Sequence, residues 1–98
     1  TYFYTVTNSR YTAPAPAIGA IVPSSGPAGT AVSIYGTNFV TGATVKVGGV
    51  TAGSVVVQNA SLITCVAPAN SLGAKDVTVT NPNGQFVTKP GGFTYTAP

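Results

Sequence analysis

The segment Val32-Ser-Ile-Tyr-Gly-Thr-Asn-Phe39 decides the fold class of this chain. Apolar and polar side chains alternate in its first half, so Val32 and Ile34 face one side of an extended strand and Tyr35 faces the other. Its second half contains Gly-Thr-Asn, a turn, because glycine and asparagine accept backbone conformations that other residues resist. This pattern predicts a half-buried β-strand that ends in a turn.

Similar short runs recur along the chain at a spacing of about ten residues, as in β-sandwiches. No segment has apolar residues at the i, i+3, i+4, i+7 spacing of an amphipathic helix. Asn81-Pro-Asn-Gly84 fits a type I turn and predicts a hairpin. About seven short strands, in addition to one at the N-terminus, predict an all-β, antiparallel sandwich. The predicted strands cover residues 2–7, 18–22, 32–35, 45–47, 54–58, 62–66, 77–80, 86–87 and 93–95, and residues 23–29 are predicted to form a loop.

The inward-facing residues of these strands are expected to form the core between two sheets. Each contributes about 1.5–3 kcal/mol when fully buried. Gly36 and Gly84 are expected to supply backbone conformations that a Cβ would oppose. The predicted core consists of Ile18, Ile21, Val32, Ile34, Phe39, Val45, Val47, Ile63, Cys65, Val77, Val79 and Phe93.

The 98 residues, enough for one domain, contain no histidine and a single carboxylate side chain, that of Asp76. The chain therefore has no base to activate a nucleophile and no carboxylate pair, so we expect no enzyme. One carboxylate and one thiol, Cys65, do not complete a zinc or calcium site, and we expect no metal and no cofactor. Asp76, beside Lys75, is expected to be a charge on a loop.

The net charge of +3 comes from four cations that are spread along the chain, and this distribution does not predict nucleic-acid binding, which needs clustered phosphate contacts. No apolar run approaches the ~20 residues of a membrane span. Only 5% of the residues are charged, against about 25% in an average domain. Threonine, serine and asparagine must then supply the surface polarity, as is common in secreted and cell-surface β proteins.

Three single residues are candidates for chemistry or binding. Cys65 alternates with Ile63 and is expected to be a buried, unreactive thiol, with an intermolecular disulfide as the alternative. Asn59-Ala-Ser61 falls in a predicted turn and matches the N-glycosylation pattern, so Asn59 is a candidate site in a host that glycosylates. Tyr35 is the one aromatic residue within residues 16–95 that alternation places outward, so it is the candidate contact for a carbohydrate.

A series of motifs along residues 16–95 follows the order found in one domain family. The motifs are Pro16-Ala-Ile-Gly-Ala-Ile-Val-Pro23, Ser24-Ser-Gly-Pro27, Gly29-Thr30, Val32-Ser-Ile34, Gly36-Thr-Asn-Phe39, Val45-Lys-Val-Gly48, Ile63-Thr-Cys65, Ala67-Pro68, Val77-Thr-Val-Thr-Asn81, Gly84 and Phe93-Thr-Tyr95. Together they resemble the IPT/TIG family of immunoglobulin-like domains. The resemblance implies an immunoglobulin-like β-sandwich over residues 15–98, of the type found in tandem in bacterial and archaeal surface proteins. The family also occurs in receptors, in accessory domains of starch-acting enzymes and in transcription factors, and fold alone does not choose among these roles.

Residues 1–14 lie outside the resemblance and are predicted to be an extra strand followed by a Pro-rich linker. Tyr2, Tyr4 and Val6 alternate with Phe3, so both faces of this strand carry aromatic side chains. An apolar strand without a partner is an adhesive edge. Three interpretations stay open: the last strand of a preceding module, a strand donated to a neighbouring subunit, and a strand folded back onto its own sheet.

Two features of the linker bear on how the module is connected. Pro14 and Pro16 are expected to hold it extended. Tyr11-Thr-Ala-Pro14 recurs 84 residues later as Tyr95-Thr-Ala-Pro98, at both boundaries of the predicted domain, which indicates tandem modules unless the repeat arose by chance. Because the sequence begins at Thr1 rather than Met, we expect a processed or excised piece.

Two functions follow as expectations. The first is a non-catalytic structural module of an extracellular or cell-surface prokaryotic protein, assembled in tandem or as a filament subunit through β-pairing of the N-terminal strand. Its partners are then neighbouring domains or identical subunits. The alternative is a carbohydrate-binding or adhesion domain of a larger secreted protein that uses Tyr35 or the loops at one end.

Overall fold

A computed structural model of the protein describes residues 15–97, which form two β-sheets packed face to face. The strands are β1 (Ala17–Val22), β2 (Ser25–Gly26), β3 (Ala31–Thr37), β4 (Thr44–Val47), β5 (Val50–Thr51), β6 (Gly53–Asn59), β7 (Leu62–Val66), β8 (Gly73–Thr80) and β9 (Phe86–Tyr95). The four-stranded sheet has the order β1-β3-β7-β6, and the five-stranded sheet has the order β2-β9-β8-β4-β5. The prediction of an all-β, immunoglobulin-like sandwich is confirmed. The predicted strand over residues 2–7 lies outside the described residues.

The chain passes from one sheet to the other near Pro23, between β1 and β2. β1 pairs antiparallel with β3, whereas β2 pairs parallel with β9. The Thr94 amide donates to the Ser24 carbonyl at 2.9 Å, and the Thr96 amide donates to the Gly26 carbonyl at 3.0 Å. The segment 23–29, predicted to be a loop, therefore contains the short strand β2. The sequence did not indicate this strand, because two residues are too few to show an alternating pattern.

β9 is a single strand where the sequence indicated two. Opposite one residue of β8, Asp76, β9 has the three residues Pro90, Gly91 and Gly92, and the pairing register shifts there. The Gly91 amide donates to Asp76 Oδ1 at 3.0 Å, so a side chain replaces the missing backbone acceptor. The prediction that Asp76 is a loop charge is wrong, because the residue lies within β8 and supports this bulge.

The core lies between the two sheets and contains eleven of the twelve residues predicted for it. Ile18 is the exception: it is only partly buried, because it lies beside the register shift at Gly19 in β1, an outer strand of its sheet. The core also contains Ala43, Ala52, Ala67 and Tyr95.

The two singled-out glycines are needed for different reasons. Gly84 has a φ of 92°, and its amide donates to the Asn81 carbonyl at 2.9 Å, which confirms the predicted turn. Gly36 does not have a positive φ. A Cβ there would collide with the Ala17 carbonyl oxygen and the Phe39 ring, so glycine is needed for space rather than for its backbone conformation.

Candidate functional site

Charge is divided unequally between the two sheets. All four charged side chains among residues 15–97 lie in strands of the five-stranded sheet: Lys46 in β4, Lys75 and Asp76 in β8, and Lys89 in β9. The strands of the four-stranded sheet carry no charged residue. The outward-facing side chains of β1, β3, β7 and β6 therefore form a surface that we name the uncharged face.

The uncharged face is partly apolar. Across the strands, Ala20 of β1 lies opposite Tyr35 of β3, and Tyr35 lies opposite Leu62 of β7. Val22 and Val56 are 54% and 49% exposed, and Tyr35 is 47% exposed. The prediction that Tyr35 faces outward is confirmed by its exposure, but the prediction that it is the one outward aromatic residue is wrong, because Phe86 of β9 is also exposed. Contact of Tyr35 with a ligand stays a prediction.

A groove lies along one margin of this face, between β1 and β3. Its volume is about 440 Å³, within the range of about 300–1,000 Å³ typical of small-ligand sites. The register shift between Ile18 and Ala20 disturbs the pairing of β1 here, and most lining side chains are small. The groove is lined by Ala17, Ile18, Gly19, Ala20, Tyr35, Gly36 and Thr37.

A chain of amide contacts fixes the end of the sandwich where the described chain begins. Asn38 Nδ2 donates to the Ala15 carbonyl at 3.1 Å, and Asn81 Nδ2 donates to the Asn38 carbonyl at 2.9 Å. Asn81 Oδ1 accepts from the Val40 amide at 3.2 Å. Asn81, with only 2% of its surface exposed, therefore ties the β8–β9 turn to the β3–β4 connection. We name this region the Asn81 end.

From the sequence, Asn81 is recognisable only as a turn residue. The local pattern does not reveal that its side chain turns inward, because its two partners, Asn38 and Val40, lie about forty residues earlier, at separations of 43 and 41. The one available signal was that a second asparagine, Asn38, also follows an alternating strand.

The described chain leaves the sandwich at the opposite end. β9 starts beside the β8–β9 turn and runs the length of the sheet to Tyr95, a span of roughly 30 Å for ten residues. The Tyr95 hydroxyl donates to the Pro68 carbonyl, and its ring packs edge-on against Phe93 with 5.1 Å between ring centroids. We name this region the Tyr95 end.

The remaining candidate residues do not form a chemical site together. Cys65 lies in the core, and burial raises the pKa of its thiol to about 11, so it is a protonated, poorly nucleophilic group at neutral pH. Asn59 is exposed in the β6–β7 turn, where its Oδ1 accepts from the Ser61 amide at 2.7 Å. Its glycosylation stays a prediction. Tyr2, Phe3, Tyr4 and Val6 lie outside the described residues.

Two kinds of feature are absent from residues 15–97. No group of three or more His, Cys, Asp or Glu residues is positioned there to hold a metal ion. This part of the chain also has no helix of the length and apolar character that crossing a membrane requires.

Comparison with known proteins gives a family and a fold. A family model described as IPT/TIG domain matches residues 16–95. The crystal structure of a putative phosphatase from Bacteroides thetaiotaomicron VPI-5482 is similar, with a TM-score of 0.68 and 29% identity, over 85% of this chain and 18% of that chain.

A second crystal structure, of an auxiliary nutrient binding protein from Bacteroides ovatus ATCC 8483, has a TM-score of 0.68 and 23% identity. The match covers 94% of this chain and 22% of that chain. The present chain thus spans only about a fifth of the length of either protein. No curated protein matches it.

Proposed function

The chain belongs to the IPT/TIG domain family, and on that basis we propose that it is a non-catalytic structural and interaction module of an extracellular or cell-surface prokaryotic protein. The module assembles in tandem or as a filament subunit through β-strand pairing of its N-terminal segment. Its partners are neighbouring domains or identical copies of the chain. Its low content of charged residues and the absence of histidine favour a binding role over a catalytic one.

The observation that carries this proposal is where the chain enters and leaves the sandwich of residues 15–97. Ala15 is held at the Asn81 end by Asn38, whereas Tyr95 is anchored at the other end by its contact with Pro68. A module that the chain enters at one end and leaves at the other extends a row when it is repeated. The recurrence of Tyr11-Thr-Ala-Pro14 at residues 95–98 supports the same arrangement.

The N-terminal segment supplies the contact between modules. Tyr2, Phe3, Tyr4 and Val6 place apolar side chains on both faces of a strand, which gains stability only when a second sheet covers it. Main-chain hydrogen bonds in such strand addition give affinity, and alternate side chains give specificity. The preceding-module and donated-strand interpretations both use this contact.

Solution mass tests the proposal. We would compare residues 1–98, a chain that begins at Ala15, and the full chain with Tyr2→Thr and Tyr4→Thr, by light scattering and electron microscopy. Threonine keeps the β-propensity of the segment and removes its aromatic surface. We expect dimers or fibres from the unmodified full chain only. If all three are monomers of equal stability, assembly through this segment is wrong and the module is a spacer or a ligand-binding domain.

A second function, carbohydrate binding or adhesion, is favoured by one observation: Tyr35 is exposed beside a groove on the uncharged face. An aromatic ring on a neutral surface suits the apolar face of a sugar. A glycan array probed with the full chain tests it, with Tyr35→Ala as the variant. Phe86→Ala is the matched control, since Phe86 is 63% exposed on the other sheet. Binding that is lost only in Tyr35→Ala supports this function, and an array without signal excludes the glycans tested.

A further inference from the structure

The outer strands of the two sheets differ in how well they could receive another strand. β2 and β5 contain two residues each, too few for a stable ladder. β6 pairs irregularly with β7, with register shifts between Gly53 and Val56 and between Val57 and Asn59. In the part of β9 that does not pair with β2, Lys89 and Pro90 oppose the addition of another strand. Proline lacks an amide donor, and the lysine side chain must stay hydrated.

β1 is the outer strand that lacks these features, which oppose the addition of another strand. Its six residues include no charge and no proline, and its pairing with β3 shifts at one place only, around Gly19. Beside that place lies the groove, whose small side chains leave room for larger ones. Ala20 and Val22 face outward on the same side as the Tyr35 ring. Among residues 15–97, β1 is therefore an outer strand bordered by an exposed apolar surface, formed by Ala20, Val22 and Tyr35, which we name the shelf.

The N-terminal segment matches this shelf in chemistry. Residues 1–9 carry no charged side chain, the first charge being Arg10. When a segment without charged side chains covers an uncharged face, no charged side chain loses its hydration, so burial of the aromatic rings is not offset by that desolvation cost. Tyr2, Phe3 and Tyr4 are bulky where the groove lining is small.

The geometry favours a donor from a second copy. Fourteen residues precede Ala15, whose carbonyl is held by Asn38 at the start of β1. To lie beside β1 of the same copy, residues 2–6 would have to reverse direction within the linker. Pro14 fixes its own φ and disfavours a helical turn in the residue before it, so it favours continued extension instead.

We propose that the N-terminal segment of one copy, residues 2–6, docks along β1 of a second copy and places its aromatic side chains in the groove against Ala20 and Tyr35. This inference rests on the proposed function and names its acceptor surface. Because the shift at Gly19 interrupts β1, main-chain pairing is confined to Ala20–Val22, and side-chain packing in the groove completes the contact. The donor and acceptor surfaces are different, so two copies that exchange segments form a dimer, and copies that donate head to tail form a row.

Mixed disulfide trapping tests the acceptor. Cys65 is buried and protonated, so a thiol introduced on the surface reacts in its place. Full-length Tyr4→Cys is mixed with mass-tagged Ala20→Cys under mild oxidation, and in parallel with tagged Thr44→Cys. Thr44 is the control because it is exposed on the five-stranded sheet. We expect about tenfold more mixed dimer with Ala20→Cys, which corresponds to about 1.4 kcal/mol of preference.

The outcomes separate the inference from the function on which it rests. If the full chain assembles in light scattering but Thr44→Cys traps as much dimer as Ala20→Cys, the acceptor is wrong and assembly stands. If the full chain is a monomer and no mixed dimer forms, both are wrong. A Tyr4→Cys/Ala20→Cys double variant that closes a disulfide within one chain at high dilution, without mixed dimers, would show that the segment folds back and would overturn a second copy as the partner.

Discussion

The four-stranded and five-stranded sheets have equally apolar inner faces. Ile34 and Ile63 of the first belong to the same core cluster as Val45 and Val79 of the second, and all four side chains are fully buried. On their outer faces the sheets differ, because every charged residue between positions 15 and 97 belongs to the five-stranded sheet. The inner faces explain why the chain folds, and the outer faces indicate which side of it is suited to a partner.

The physical basis of this difference is hydration. A lysine on a sheet surface must stay in water or be paired, so a face that carries several charges resists being covered. The uncharged face, where Val22 and Val56 are exposed, loses little when another surface replaces water. Both faces are compatible with the sandwich, so their difference bears on the interaction that we propose rather than on folding.

The largest expected effect comes from the shared core. Phe93→Ala removes a fully buried ring from the five-stranded sheet and should cost about 3–5 kcal/mol of unfolding free energy, and Ile34→Ala in the other sheet about 2–5. Phe86→Ala, in the same strand as Phe93 but exposed, should change it by less than about 0.5 kcal/mol. Urea unfolding of the three variants measures these values. A small loss for Ile34→Ala alone would show that the two inner faces are not equivalent.

The next effect lies where the two sheets are tied together. Asn81→Ala leaves the Asn38 carbonyl and the Val40 amide without their side-chain partner, and should cost about 1–3 kcal/mol. Asn83→Ala is the control, because Asn83 is exposed in the same turn and its contacts are local. Denaturant midpoints of both variants give the comparison. Equal losses would mean that the turn itself, and not the link between the sheets, depends on asparagine.

A smaller effect is expected at alkaline pH. Burial raises the pKa of Cys65 to about 11 from 9.0, and burial, followed by the nearby Cys65, raises the pKa of Tyr95. Both groups are protonated more firmly in the folded chain. The stability that Cys65 contributes, on the order of 1–2 kcal/mol, is therefore complete below about pH 9 and is lost as the pH rises through about 11. The raised pKa of Tyr95 adds a loss in the same direction.

Unfolding midpoints at pH 8 and pH 10.5 measure this loss, and Cys65→Ala supplies the comparison. The variant is expected to be less stable at pH 8, because it leaves a cavity, but to lose less between the two pH values. Parallel losses in the two proteins would assign the alkaline effect to Tyr95 and not to Cys65.

The smallest effect on stability is expected on the outer faces, where the effect on assembly should differ most. Val22→Lys on β1 and Thr44→Lys on β4 both replace exposed residues, and each should change the unfolding free energy by less than about 0.5 kcal/mol. A lysine on β1 should abolish assembly of the full chain in light scattering, and a lysine on β4 should leave it unchanged. Loss of assembly in both variants would mean that added positive charge, not the uncharged face, is responsible.

Much of the fold can be predicted from local patterns in the amino-acid sequence. Alternation in residues 32–35 placed Ile34 inside and Tyr35 outside, and the turn at Asn81-Pro-Asn-Gly84 was identified from its residue types alone. These features depend on neighbours in sequence, through the period of a strand and the backbone freedom of asparagine and glycine. Asp76 was wrongly assigned to a loop, because its strand continues across a bulge that its own side chain supports.

The uncharged face and its groove could be predicted only in part from local sequence patterns. Composition and alternation predicted neither metal nor acid–base chemistry and singled out Tyr35 and the N-terminal aromatic residues. Pairing between residues that are tens of positions apart decides which strands share a sheet. The same pairing places all charged residues between positions 15 and 97 in one sheet. The same long-range pairing sets the groove between β1 and β3 and the inward turn of Asn81, since these depend on residues that meet in space and not along the chain.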